Sequence, residues 1–100
     1  MAKGTLTIIE PSGVVTTSRV ESAKGPSLEV LQKGVGGYIE RVKVRYNGKV
    51  RDAYCNEDGL SQGLEYNHDA TMLCRGTIFE GVSIVGNLVI WEPDAKVKKS

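Results

Sequence analysis

Several groups of residues have types and spacings that bear on chemistry. The run Gly34-Val35-Gly36-Gly37-Tyr38-Ile39-Glu40 places glycines beside an aromatic and a carboxylate. Backbone N–H groups of a glycine-rich loop can cradle phosphate. Such a loop needs a strand before it and a helix after it, so that the helix N-terminus faces the phosphates. Here an amphipathic helical pattern precedes the glycines and a β-rich run follows. A helix C-terminus carries the negative end of the dipole and leaves carbonyls free, so it repels phosphate. No Gly-Lys-Ser/Thr follows either. Gly36 and Gly37 are therefore expected to form a helix C-cap in left-handed backbone. A second use of such glycines is to let another chain or a flat ligand approach the backbone.

His68 is the single histidine, with Asp69 beside it and Asp58 nearby in sequence. No H-x-x-x-H, C-x-x-C or E-x-x-H spacing accompanies it, so no metal site is expected. Cys55 and Cys74 lie in apolar-leaning segments and are expected to be free and buried. Neither has a spacing to His68 that marks a nucleophile, and no serine sits in a G-x-S-x-G context. Adjacent Glu57 and Asp58 are expected to point apart on a turn. Non-enzymatic function follows as the expectation, with no cofactor.

Two sets remain. Glu40 shares strand parity with Tyr38, Val42 and Val44, an apolar-leaning face on which a carboxylate wants a partner. That partner is either an edge salt bridge or a ligand or interface contact. Arg41, Lys43 and Arg45 share the opposite parity, with Tyr46 and Tyr54 nearby. Cations and aromatic planes on a hairpin can hold a nucleotide or a single strand by charge and stacking. They also describe a solvated edge blunted by charge. The candidate ligand-binding set is Gly36, Gly37, Tyr38, Glu40, Arg41, Arg45, Asn56 and Asn67.

The elements that position these residues follow from local pattern. Thr5–Glu10 is β-rich and reads as a strand. Pro11-Ser12-Gly13 is a turn, and Val14–Thr17 is a possible second strand folding back. Ser18–Pro26 reads as a loop. Ser27 suits an N-cap, with Glu29 in the first turn and Leu28, Leu31 and Val35 forming an apolar stripe. Tyr38–Tyr46 and Lys49–Asn56 flank Asn47-Gly48, the signal of a type I′ hairpin. A two-residue turn sets Lys43 opposite Asp52, Val42 opposite Ala53 and Val44 opposite Arg51. Asn56–Gly59 is a turn and Leu60–Tyr66 is irregular. Asn67 caps a short helix with Ala70, Leu73 and Cys74 on its apolar face. Thr77–Val82 fits neither period. Ile84–Trp91 is the most hydrophobic segment and reads as a central strand.

The order is strand, strand, helix, strand, strand, helix, strand. It predicts an α+β fold: a small mixed, mainly antiparallel sheet of four to five strands, with two helices on one face. The same order occurs in β-grasp domains. One domain over residues 1–92 and a basic flexible tail over 93–100 are expected.

Composition bounds the partners. The 100 residues are 40% hydrophobic and 25% charged, with net charge +1. These are the proportions of a globular domain, and the charge is too small to argue for nucleic acid. Residues 1–50 hold eight Lys/Arg against four Asp/Glu (+4), and residues 51–100 five against eight (−3). No secretory signal or membrane span is evident, so a cytoplasmic location is expected. Homo-oligomerisation is expected too, since a core of this size is modest.

Leu28–Lys33 running into Val35–Glu40, then Asn56-Glu57-Asp58-Gly59, Asn67 with Ala70-Thr71, and Ile84-Val85-Gly86-Asn87 together resemble a family of uncharacterised small domains. These occur in bacteriophages, plasmids and bacteria, and are known as a "domain of unknown function". The resemblance implies a phage or mobile-element origin and brings no catalytic residues. The leading expectation is an accessory binding protein that antagonises host defence or signalling by sequestering a small nucleotide-like ligand. A protein–protein inhibitor or adaptor, using an exposed strand edge on a host protein, is the second. A nucleic-acid accessory protein is the third.

Overall fold

The computed structural model describes residues 3–94. Its elements are β1 (Gly4–Ile9), β2 (Val15–Val20), α1 (Leu28–Val35), β3 (Ile39–Tyr46), β4 (Lys49–Asn56), α2 (His68–Leu73) and β5 (Leu88–Pro93). The five strands form one sheet in the order β2-β1-β5-β4-β3. The fold is α+β, as the element order predicts. All four pairings are antiparallel, so among the described residues the sheet is not mixed.

β5 lies at the centre, as its composition requires. Leu88, Val89, Ile90 and Trp91 are all buried, although side chains alternate between faces along a strand. Leu88 and Ile90 join Ile9, Val42, Val44, Ala53 and Cys55 beneath Ala70 and Cys74 of the α2 region. Val89 and Trp91 join Leu6 beneath Leu31 and Val35 of α1. The helices therefore cover opposite faces, not one face as the element order alone suggested. A strand apolar on both sides needs cover on both. β5 also starts later than the apolar run, because Gly86 turns the backbone at φ 74°.

α1 begins at Ser27, whose Oγ accepts from the Val30 N–H at 3.1 Å. The helix meets the sheet through its second half, where a Cβ on Gly34 would stand 2.8 Å from Val89 Cγ2. Leu31 and Val35 are buried, but Leu28 is 58% exposed, so the stripe contributes two residues to the core rather than three. The β3–β4 hairpin has the expected register, with Lys43 opposite Asp52, Val42 opposite Ala53 and Val44 opposite Arg51. Asn47 and Gly48 supply positive φ of 51° and 77°.

β2 runs through Ser18 and Arg19 to Val20, where a loop was expected. Pairing of Ser18 with Leu6 and of Val20 with Gly4 overrides the polar local composition. Pro93 ends β5 and Asp94 is tied in, its N–H donating to the Lys3 carbonyl at 2.9 Å. The rest of the expected tail, 95–100, lies outside the described residues.

Candidate functional site

The glycine corner is a C-cap. Gly36 has φ 77°, and its N–H and that of Gly37 both donate to the Gln32 carbonyl. Gly37 serves close approach: a Cβ there would stand 2.8 Å from Asn56 Nδ2. Asn56 is 4% exposed and fully engaged. Its Nδ2 donates to the Val35 carbonyl and to Gln62 Oε1, and its Oδ1 accepts from the Asp58 N–H. Asn67 is likewise buried and engaged. Its Nδ2 donates to the carbonyls of Ile9 and Gly86, each at 2.9 Å, and its Oδ1 accepts from the Ala70 N–H. In this structure both asparagines hold the fold together and leave no amide hydrogen for a ligand.

Tyr38 and Glu40, grouped by parity, line different cavities. Tyr38 is 67% exposed and borders an open cavity of about 280 Å³ with Gly37, Gln32, Gln62 and Asp58. Glu40 borders another cavity of about 280 Å³, on the α2 face, with Glu57, Cys55 and Phe79 among its lining. Glu57 and Asp58 point apart, as expected, one into each cavity. The edge salt bridge considered for Glu40 is not formed among the described residues.

The basic hairpin splits between faces. Arg41 and Lys43 alternate with Val42 and Val44, and Lys43 pairs with Asp52. Arg51 sits on the valine face and pairs with Glu92 at 3.5 Å, with its Nε unpartnered. Arg45 is drawn to the segment after α2: its Cδ is 3.0 Å from where a Cβ on Gly76 would stand. Tyr46 packs with the α2-side core and Tyr54 with the α1-side core. Arg41 and Lys43 share a face with Tyr54, which stands opposite Arg41, whereas Tyr46 and Arg51 lie on the other face.

His68 is exposed and sits edge-on to Tyr66, with ring centroids 6.3 Å apart. Burial, helped by the Glu40 carboxylate and then by Cys74, pushes the Cys55 thiol up to about 11. Burial raises Cys74 as well. Both thiols are held protonated, the reverse of nucleophile activation. Among the described residues no three or more His, Cys, Asp or Glu side chains gather as a metal site. None of the described helices is long and apolar enough to cross a membrane.

A further surface carried no signal in local sequence. β2 is an edge strand whose residues 15–19 are all exposed. On its α1 side, a cavity of about 450 Å³ has Leu6, Ser18, Val20 and Val30 in its lining, with Arg19, Glu21 and Lys24 beside them. A second, of about 480 Å³, has Ile8, Thr16 and Val30 in its lining, with Glu10 and Lys33 beside them. The two flank Val30 and follow β2 at alternate residues 16, 18 and 20.

A family model described as a domain of unknown function matches residues 5–99, and so covers all but the first residue of β1, the other strands and both helices. The chain belongs to the DUF3846 family. No curated protein and no solved structure matches it.

In this DUF3846 domain, then, the eight residues grouped from sequence do not form one site: Asn56 lines the cavity of Glu40 and Gly37 that of Tyr38, while Gly36, Asn67, Arg41 and Arg45 line neither. Gly36, Gly37, Asn56 and Asn67 serve backbone geometry and capping. Tyr38, Glu40, Arg41 and Arg45 are exposed and spread over separate surfaces. Glu57 and Phe79, which line the cavity with Glu40, come from a turn and from Thr77–Val82, the segment that fits neither period; Ser83 follows it. Only the fold brings them to one place.

Proposed function

We propose that this domain is a non-enzymatic binding module that captures an extended segment of a partner protein by adding it as a strand beside β2. The observation that carries this reading is the bare edge at Val15–Val20, flanked at alternate residues by two cavities with apolar floors and residues of both charges around them. In strand addition, main-chain hydrogen bonds supply affinity and pockets for alternate side chains supply specificity. Small Thr16 and Ser18 leave room for long apolar side chains of the added strand to reach over β2 toward Val30. A second copy of β2 would offer Thr16 and Ser18 in return, which fill such cavities poorly. The partner segment is thus an extended peptide with alternating large apolar residues. If the chain is an accessory protein of a phage or other mobile element, as the resemblance implies, the segment belongs to a host protein.

Panning of displayed random peptides against the purified domain tests this. Enriched peptides should alternate apolar and polar residues, and binding should be lost in Ser18→Lys and Val30→Asp. Enriched peptides without alternation, or binding indifferent to both substitutions, overturn the reading. Light scattering of the free domain separates the self-pairing outcome: a dimer dispersed by Ser18→Lys assigns the edge to a second copy.

Sequestration of a nucleotide is favoured by one observation, the exposed Tyr38 ring beside Gln32 and Gln62. Against it, Asp58 lines that cavity and Arg41 and Arg45 do not, so phosphate meets repulsion there. Titration calorimetry with cyclic dinucleotides and ADP-ribose distinguishes the readings. Heat that disappears in Tyr38→Ala favours the nucleotide.

A further inference from the structure

The cavity bordered by Glu40 combines an apolar interior with acidic residues. Val42, Cys55 and Ile84, all buried, line it together with Phe79, Val82 and Val85. Glu40 and Glu57 are exposed and supply its carboxylates. No Lys, Arg or His lines it. Neither carboxylate is in an ion pair among the described residues. Glu40 acts on the interior, since its charge helps to raise the Cys55 thiol.

An anionic guest would be repelled here. A neutral guest would take the apolar space but leave the carboxylates beside a dry wall, without compensation. A guest with an apolar stem and a positive end meets both needs, and screening by solvent weakens least where the wall is apolar. We propose that this cavity binds a primary amine, its stem against Val42, Ile84 and Phe79 and its ammonium at Glu40 and Glu57. Ser83, which also lines the cavity, offers a hydroxyl acceptor to a further N–H. A volume of about 280 Å³ suits a small amine or one lysine side chain of a partner. The site is independent of strand addition, because β2 and β3 are opposite edges of the sheet.

Cys55 lines the cavity and reports on its occupancy. Methyl methanethiosulfonate, a small neutral reagent, converts the thiol to a mixed disulfide. The thiolate attacks the sulfenyl sulfur, a new S–S bond forms, and methanesulfinate leaves with the electron pair of the broken bond. The rate at Cys55 is read by peptide mass, which separates it from fully buried Cys74. Pentylamine at neutral pH should slow this labelling by about fivefold or more. 1-Pentanol should slow it far less, and hexanoate not at all. In the double variant Glu40→Gln/Glu57→Gln, whose isosteric exposed amides should leave the fold intact, the amine should lose its advantage over the alcohol. A blocked lysine amide that protects as well as pentylamine assigns the site to a partner's side chain; protection by pentylamine alone assigns it to a free amine. Equal protection by hexanoate, no protection by any amine, or an amine advantage that survives the double variant would overturn the proposal. Amide shifts at Val42, Cys55 and Ile84 on adding pentylamine check the location, and shifts confined elsewhere count against it.

Discussion

β2 and β3 are the two edge strands of the sheet, and they are finished differently. β3 carries Arg41, Lys43 and Arg45 among its valines, and the segment after α2 meets it at Arg45, against Gly76, and at Lys43, against Thr77. The Thr77 hydroxyl stands 3.3 Å from the Lys43 carbonyl and 2.6 Å from that of Cys74, sharing its hydrogen between them. β2 carries one charge, Arg19, already engaged. Arg19 forms two bonds of 2.8 Å to Asp94, and holds the Asp94 carboxyl below its usual range. No described segment covers β2. Charge and cover are how natural sheets prevent unwanted pairing. An edge left without them, beside cavities with apolar floors, is one available for pairing.

The comparison can be broken by loosening the covered side or by blunting the bare one. The largest effect should come from Asn67, which fastens the covering segment to the end of β1. Asn67→Asp turns two donated hydrogen bonds into repulsion with the Ile9 and Gly86 carbonyls. It should cost about 3 kcal/mol or more in urea unfolding, and at least as much as Asn67→Ala. A cost under about 1 kcal/mol would mean the segment is held by other contacts.

Alkaline pH probes the same side. Folded Cys55 keeps its proton to about 11, against an ordinary value of 9 in the unfolded chain. Between those values the unfolded state binds fewer protons, so stability falls as pH rises through the window. Urea midpoints should report a loss of about 1–2 kcal/mol, and Cys55→Ser should flatten the slope. Glu40→Gln should lessen it as well, by removing a nearby negative charge.

Gly36→Ala forces a side chain into φ 77° with no contact to compensate it. Thermal unfolding should show a loss of about 1 kcal/mol. Gly37→Ala should instead displace Asn56, and double-mutant cycles should couple it to Asn56→Ala but leave Gly36→Ala uncoupled. On the bare edge, Ser18→Lys should change stability by less than about 0.5 kcal/mol, because nothing packs on it. A larger loss there would show that β2 is supported more than its exposure suggests.

Most of the architecture was legible in the sequence because it rests on short-range chemistry. Asn47-Gly48 fixed the hairpin register, Ser27 and Asn67 marked their caps, and β5 announced its central place by composition. The extent of β2 was not legible, since Ser18 and Arg19 become strand only through pairing with β1. The side on which each helix packs was hidden as well; it depends on β5 being apolar on both faces, which element order does not convey. The candidate site was least legible. Strand parity grouped Tyr38 with Glu40, but the turn at 57–62 separates their surroundings. Asn56 reads as an available polar group, and the Asn67 amide as free beyond its cap, until their long-range carbonyl partners are known.

The difference between the edges is tested most directly by amide hydrogen exchange on the domain, alone and with a peptide selected in panning. Strand addition at the bare edge predicts slower exchange within Val15–Val20 on peptide binding and no change within Ile39–Tyr46. Slowing within β3, with β2 unchanged, would contradict it.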